Sequence, residues 1–217
     1  MTSHQVQIPS GSAGLEGELT IPLKSSGIVL FAHGSGSSRH SPRNQFVAGV
    51  IREAGIGTLL FDLLTRDEED EDLMTARLRF DIGLLAKRLL DATRWVAGRA
   101  DTCRLGLGYF GASTGAAAAL AAAAEVGPVI GAVVSRGGRP DLAGDALSRV
   151  GSPTLLIVGS LDPLVLGLNE QALARLRCEK KLAVVAGASH LFEEAGTLDQ
   201  VAHLAAEWFR QHLRLSP

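Results

Sequence analysis

The chain has 217 residues and a formal net charge of -2, with 46% hydrophobic and 20% charged residues, an ordinary globular balance in a length that fits one α/β domain over 1–217. No clustered basic patch points to nucleic acid, and no apolar run reaches the roughly 20 residues of a membrane span. Cys103 and Cys178 lie far apart without metal-ligand spacing and read as unpaired thiols of a reducing compartment; with an N-terminus that shows no leader pattern, they make the cytoplasm the expected location.

In chain order, residues 5–8 and 15–21 flank Gly11 and Gly14 as an N-terminal hairpin. Strands are expected at 28–32 and 58–61 with a helix at 44–53 between them. A long helix at 77–97 follows, then strands at 105–110, 129–134, 154–158 and 182–185, with helices filling the gaps. Strands separated by helices imply right-handed crossovers and a mostly parallel central sheet with helices on both faces. The last helix, 198–213, sets Leu198, Val201, Leu204, Ala205, Trp208 and Phe209 on one buried face, with His203 and His212 on its wetter side. The acidic run 67–72 reads as a solvated loop, because adjacent like charges disfavour compact structure. It lacks EF-hand spacing, and no metal site is expected.

Gly111-Ala112-Ser113-Thr114-Gly115 sits between the apolar run 105–110 and the alanine-rich segment 116–124. A G-x-S-x-G between a strand and a helix is a nucleophile elbow, in which glycines remove the Cβ atoms that would clash where the chain reverses. Ser113 is therefore the candidate nucleophile. A serine hydroxyl needs a base, and the base needs an orienting group. His190, after the strand at 182–185, is the candidate base, and Asp162, after the strand at 154–158, the candidate acid. Asp141 also follows a strand and is the alternative acid, whereas Asp62 precedes the nucleophile and reads as structural. Strand ends in a parallel sheet share one edge, so Ser113, Asp162 and His190 converge there.

Acyl transfer also requires backbone donors for the developing oxyanion. The amide of Thr114, directly after the nucleophile, is one; the amide of Ser35, in the loop His33-Gly34-Ser35-Gly36 after the strand at 28–32, is the other. His33 either shapes this loop by hydrogen bonding or is simply structural. Gly106-Leu107-Gly108-Tyr109-Phe110-Gly111 satisfies a dinucleotide-binding pattern literally, but Gly106 and Gly108 fall inside the strand rather than in the turn after it, so no nucleotide cofactor is expected. Arg136 and Arg139 follow the strand at 129–134, with Arg39, His40 and Arg43 after the oxyanion loop. Guanidinium groups on that edge suit a carboxylate or phosphate, which makes Arg136 and Arg139 candidate substrate-binding residues.

On His33-Gly34-Ser35-Gly36, the run 111–115, Asp162 and His190, the chain resembles the α/β-hydrolase superfamily and, in its small size, the compact dienelactone-hydrolase-like branch. The resemblance spans nearly the whole chain and implies an α/β-hydrolase fold with no lid domain. It departs from dienelactone hydrolases proper, which carry a cysteine nucleophile where Ser113 stands. The expected activity is a cofactor-free serine hydrolase acting on a small soluble ester, thioester or lactone in an open, shallow cleft, with neither nucleic acid nor membrane as partner. A ligand receptor or scaffold on the same fold, or an acyltransferase, is the alternative.

Overall fold

The computed structural model describes residues 2–215. Its elements run β1 (Thr2–Ser10), β2 (Ala13–Ile21), β3 (Gly27–Ala32), α1 (Pro42–Glu53), β4 (Gly57–Phe61), α2 (Arg66–Thr75), α3 (Ile82–Ala97), β5 (Gly106–Ala112), α4 (Thr114–Val126), β6 (Ile130–Arg136), β7 (Thr154–Gly159), α5 (Pro163–Arg175), β8 (Lys180–Val185) and α6 (Thr197–His212). The strands form one sheet in the order β1-β2-β4-β3-β5-β6-β7-β8. β1 and β2 are antiparallel, and β2 lies antiparallel to β4. β3 to β8 are mutually parallel.

β3 and β5, at the sheet centre, are apolar on both faces, as a doubly covered parallel strand must be. Leu30 and Tyr109 point into a core shared with α3 and α4. Phe31 and Phe110 point the other way, against α1 and α6, with their ring centroids 4.8 Å apart. α4 is buried on nearly all sides through methyl groups: Ala116, Ala117, Ala118, Ala119, Ala122 and Ala123 are all fully buried, as is Leu120. Side chains this small let the helix axis approach closely, and they leave no slack.

Three expectations need correction. The acidic run is not a loop but most of α2, whose start is fixed by a capping box in which Thr65 Oγ1 accepts Glu68 N–H and Glu68 Oε2 accepts Thr65 N–H at 2.8 Å. Asp67, Glu68 and Glu69 fall in its first turn, where the helix dipole favours negative charge and offsets their mutual repulsion. The helix expected at 77–97 is broken: residues 78–80 make one tight 3-10 turn, and Asp81 then caps α3 by accepting Leu84 N–H at 2.9 Å. His203 is exposed as expected, but the His212 ring packs on Trp208 with centroids 4.5 Å apart. Among the described residues, no helix is long and apolar enough to cross a membrane.

Candidate active site

The chain passes from β3 to β4 on one side and returns to β5 on the other, so the crevice between the carboxyl ends of β3 and β5 is the topological switch point at which α/β sheets bind ligands. Loop 33–38 leaves β3 there, and Ser113 ends β5 there. Ser113 has φ 50° and ψ -121°, a backbone state that an L-residue occupies at a cost on the order of 1–3 kcal/mol. The surroundings enforce it. A Cβ on Gly115 would come within 2.1 Å of Ala32 O, and one on Gly34 within 2.9 Å of Ser113 Cβ. Only glycine at both places lets loop 33–38, the elbow and the start of α4 meet this closely.

His190 lies in the loop between β8 and α6, with Nδ1 2.7 Å from Asp162 Oδ2. The carboxylate accepts, so Nδ1 carries the proton and Nε2 keeps its lone pair for a hydroxyl donor. Asp162 is the N-cap of α5, and its Oδ1 accepts Val165 N–H at 3.4 Å. The loop is braced by Ser189 N–H, which donates to Glu194 Oε2 at 3.0 Å; that bond holds the Glu194 carboxyl below its usual value. Ser113 and His190 share a neighbouring segment: Ser113 N–H donates to Arg136 O at 3.3 Å, Arg139 N–H donates to Ser113 O at 3.0 Å, and Gly137 between them abuts His190. Among the described residues no direct hydrogen bond joins the Ser113 hydroxyl to the His190 ring. Such bonds commonly tighten only with substrate present.

The course of loop 33–38 has an identifiable cause. The Gly34 carbonyl accepts His33 Nδ1–H at 3.0 Å and Ser37 N–H at 3.2 Å. In a planar trans peptide the N–H points opposite to the C=O, so pinning that carbonyl aims the Ser35 amide towards the elbow. His33 is pinned in turn, its Nε2 accepting Leu63 N–H at 3.0 Å. This buried ring is held in one neutral tautomer, and burial pushes its pKa below the ordinary 6.5. Ser35 N–H ends on Thr114 Oγ1 at 3.1 Å.

A cavity of about 570 Å³ opens beside this loop, lined among others by Ser35, Thr114, Arg43, Leu63, Glu69 and Leu73. α2 forms one of its walls. Glu69 on that wall has its pKa raised by burial, with Asp62 and Asp70 adding to the effect.

The two candidate substrate-binding arginines differ. Arg139 is engaged by Asp141, which accepts from Nε at 2.9 Å and from Nη2 at 2.8 Å; Asp141, the alternative acid, is thereby spent. Arg136 is 8% exposed, and its Nη1 is buried with no partner among the described residues. Burial, with the nearby positive charge of Arg43 adding to it, lowers its pKa to about 10. Asp62 has the structural place expected of it, pairing with Arg39 and accepting Arg39 N–H at 2.7 Å. Sequence reasoning set Arg43 and Arg136 on one edge of the sheet; the structure adds that the start of α1 brings the Arg43 charge close to Arg136 at the end of β6. That reasoning overlooked the place of α2 beside the cavity, although the Thr65-x-x-Glu68 capping signal was there to be read. Among the described residues no group of three or more metal-ligating side chains is placed to hold an ion.

A parallel sheet with an elbow at its switch point and a histidine–aspartate pair on the same edge is the architecture of the α/β hydrolases. Over 98% of its length, and 99% of the other chain's, the protein superposes on the dienelactone hydrolase of Anabaena variabilis with a TM-score of 0.96 and 57% identity. The chain therefore belongs to the dienelactone hydrolase family. Est1E of Butyrivibrio proteoclasticus, 14% identical with a TM-score of 0.80 over 95% of this chain and 98% of its own, shares the fold. A Mycobacterium tuberculosis protein provisionally named a phosphoribosyl transferase is 57% identical over 213 residues, which are 98% of this chain and 47% of that one. The chain thus spans about half the length of the curated relatives it matches. No protein-family model matches the chain.

Proposed function

We propose that this protein is a serine hydrolase that cleaves a small ester, thioester or lactone through an acyl-enzyme. The observation that supports the reading best is the pairing of a strained Ser113 elbow with a His190 whose Nδ1 is committed to Asp162. Ser113 Oγ attacks the acyl carbon as His190 Nε2 takes its proton; the same proton then goes to the leaving group, and water repeats the cycle to free the acid. Asp162 keeps the imidazole in the reactive tautomer and stabilises the imidazolium. The Thr114 amide is the donor to the developing oxyanion, while the Ser35 amide, the second donor expected there, ends on Thr114 Oγ1. Membership of a family that includes a dienelactone hydrolase supports the acyl-transfer chemistry. The transferase name of the mycobacterial relatives is not carried over, because the matched half has the hydrolase fold.

The substrate class follows from Arg136. A buried guanidinium with an unpaired nitrogen and a second arginine near it is costly unless an anion completes it, so esters bearing a carboxylate are the preferred substrates. Arg139 is engaged by Asp141, so the charge offered to them is that of Arg136 with Arg43 beside it, and of these two Arg43 lines the cavity. The decisive experiment treats the protein with a fluorophosphonate and reads the intact mass. One adduct, mapped to Ser113 and absent in Ser113→Ala, is expected. A folded protein that gains no adduct refutes the serine mechanism and favours a ligand receptor. Competition of added alcohols with water for the acyl-enzyme separates an acyltransferase from a hydrolase.

A further inference from the structure

The Ser35 amide, the second donor expected at the oxyanion, is already in use. Its N–H donates to Thr114 Oγ1 at 3.1 Å, and Ser35 Oγ lies 3.1 Å from the same atom. Thr114 is 3% exposed, opens α4 directly after Ser113, and lines the 570 Å³ cavity together with Ser35. A hydroxyl oxygen accepts two hydrogen bonds and donates one. Either hydroxyl can donate in the Ser35–Thr114 pair; when Ser35 Oγ–H is the donor, it fills the second acceptor position of Thr114 Oγ1 beside Ser35 N–H, and the one bond left to that oxygen is donation of its own proton.

We propose that the Thr114 hydroxyl is itself an oxyanion donor: the Ser35 amide acts through it rather than on the substrate directly. This deepens, and rests on, the serine-hydrolase reading. Thr114 then supplies two donors from one residue, its backbone N–H and its Oγ–H. The two hydrogen bonds received from Ser35 polarise the O–H, since chains of hydrogen bonds in a low-dielectric site strengthen one another. The His33 clamp on the Gly34 carbonyl gains a purpose in this arrangement: it holds Ser35 where it orients the Thr114 hydroxyl. No bond to Thr114 forms or breaks during turnover. Its proton is shared with the oxyanion of each tetrahedral intermediate and kept when the carbonyl re-forms.

The test uses p-nitrophenyl acetate turnover and fluorophosphonate labelling rates for wild type, Thr114→Val, Thr114→Ala and Thr114→Ser, with circular dichroism as the folding check. Valine keeps the shape and removes the donor. The expected result is a kcat lower by about a hundredfold in Thr114→Val, with KM little changed, an equal loss in Thr114→Ala, and recovery in Thr114→Ser. A folded Thr114→Val or Thr114→Ala that turns over or labels at the wild-type rate, or faster because the Ser35 amide is released to act directly, overturns this inference alone. A wild type that is not labelled on Ser113 overturns the serine mechanism and this inference with it.

Discussion

The Asp162 carboxylate is divided between two tasks: Oδ2 meets His190 Nδ1 at 2.7 Å, while Oδ1 caps α5 through Val165 N–H at 3.4 Å. An asparagine keeps the cap but offers an amide that either fails to accept from Nδ1–H or forces the other tautomer. Asp162→Asn is therefore expected to lose on the order of 10⁴-fold in kcat with almost unchanged thermal stability. Asp162→Ala is expected to lose activity and also about 1 kcal/mol of cap energy. Ester kinetics and thermal unfolding of both variants check this.

Ser113 is held at positive φ without being a glycine, so the proposed nucleophile is a strained residue in a site that, on that reading, needs its side chain. Ser113→Gly is expected to abolish turnover and to stabilise the fold by about 1 kcal/mol, the strain relief exceeding the added freedom of glycine in the unfolded chain. Ser113→Ala, which keeps the strain, is expected to be inactive without that gain. Chemical denaturation of the three proteins separates the cases.

His33 links the site to acid sensitivity. Its folded pKa lies below the ordinary 6.5, so the unfolded chain binds the proton more readily. The contribution of this neutral ring is fully present above about pH 6.5 and is lost progressively as pH falls from there through the folded pKa. The stability difference between wild type and His33→Gln is expected to be flat at neutral and mildly alkaline pH and to shrink under mild acid. Unfolding midpoints measured from pH 8 to pH 5 give the answer; a difference independent of pH counts against the clamp.

Arg136→Met exchanges a buried, unpaired charge for an apolar chain of similar length. Substitutions of this kind often stabilise by about 1–4 kcal/mol. In return, kcat/KM for a carboxylate-bearing ester is expected to fall at least about tenfold, the worth of one charge-assisted hydrogen bond, while a neutral ester with the same leaving group is unaffected. Equal losses on both esters would remove Arg136 from substrate recognition.

Much of this architecture was legible in the residues. The runs that became β3, β5 and β7 are apolar on both faces, which only a covered parallel sheet explains; Ser113 follows β5 directly and Asp162 comes shortly after β7, whereas His190 lies beyond β8, a mostly unburied edge strand. The acidic helix α2 was misread because like charges dominated the reading, while the capping box and the dipole that offset them are local signals of equal weight. The break before α3 was marked by Asp81, whose capping bond to Leu84 begins the helix at Ile82. Beyond a shared sheet edge, the Arg43–Arg136 proximity had no sequence signature, since it depends on how α1 packs across the sheet end, and the Ser35–Thr114 contact depends on which way one peptide plane is turned.

The alanine surface of α4 has a consequence for how this protein diversifies. Ala116 to Ala119 are fully buried behind the elbow, and even one added methylene in such packing forces a shift that the adjoining Ser113 would feel. Selection or design for new substrates is thereby steered away from the interior behind the nucleophile. It is left to the start of α1 and helix α2, where side chains such as Arg43, Glu69 and Leu73 line open space and exchange at less cost to the fold.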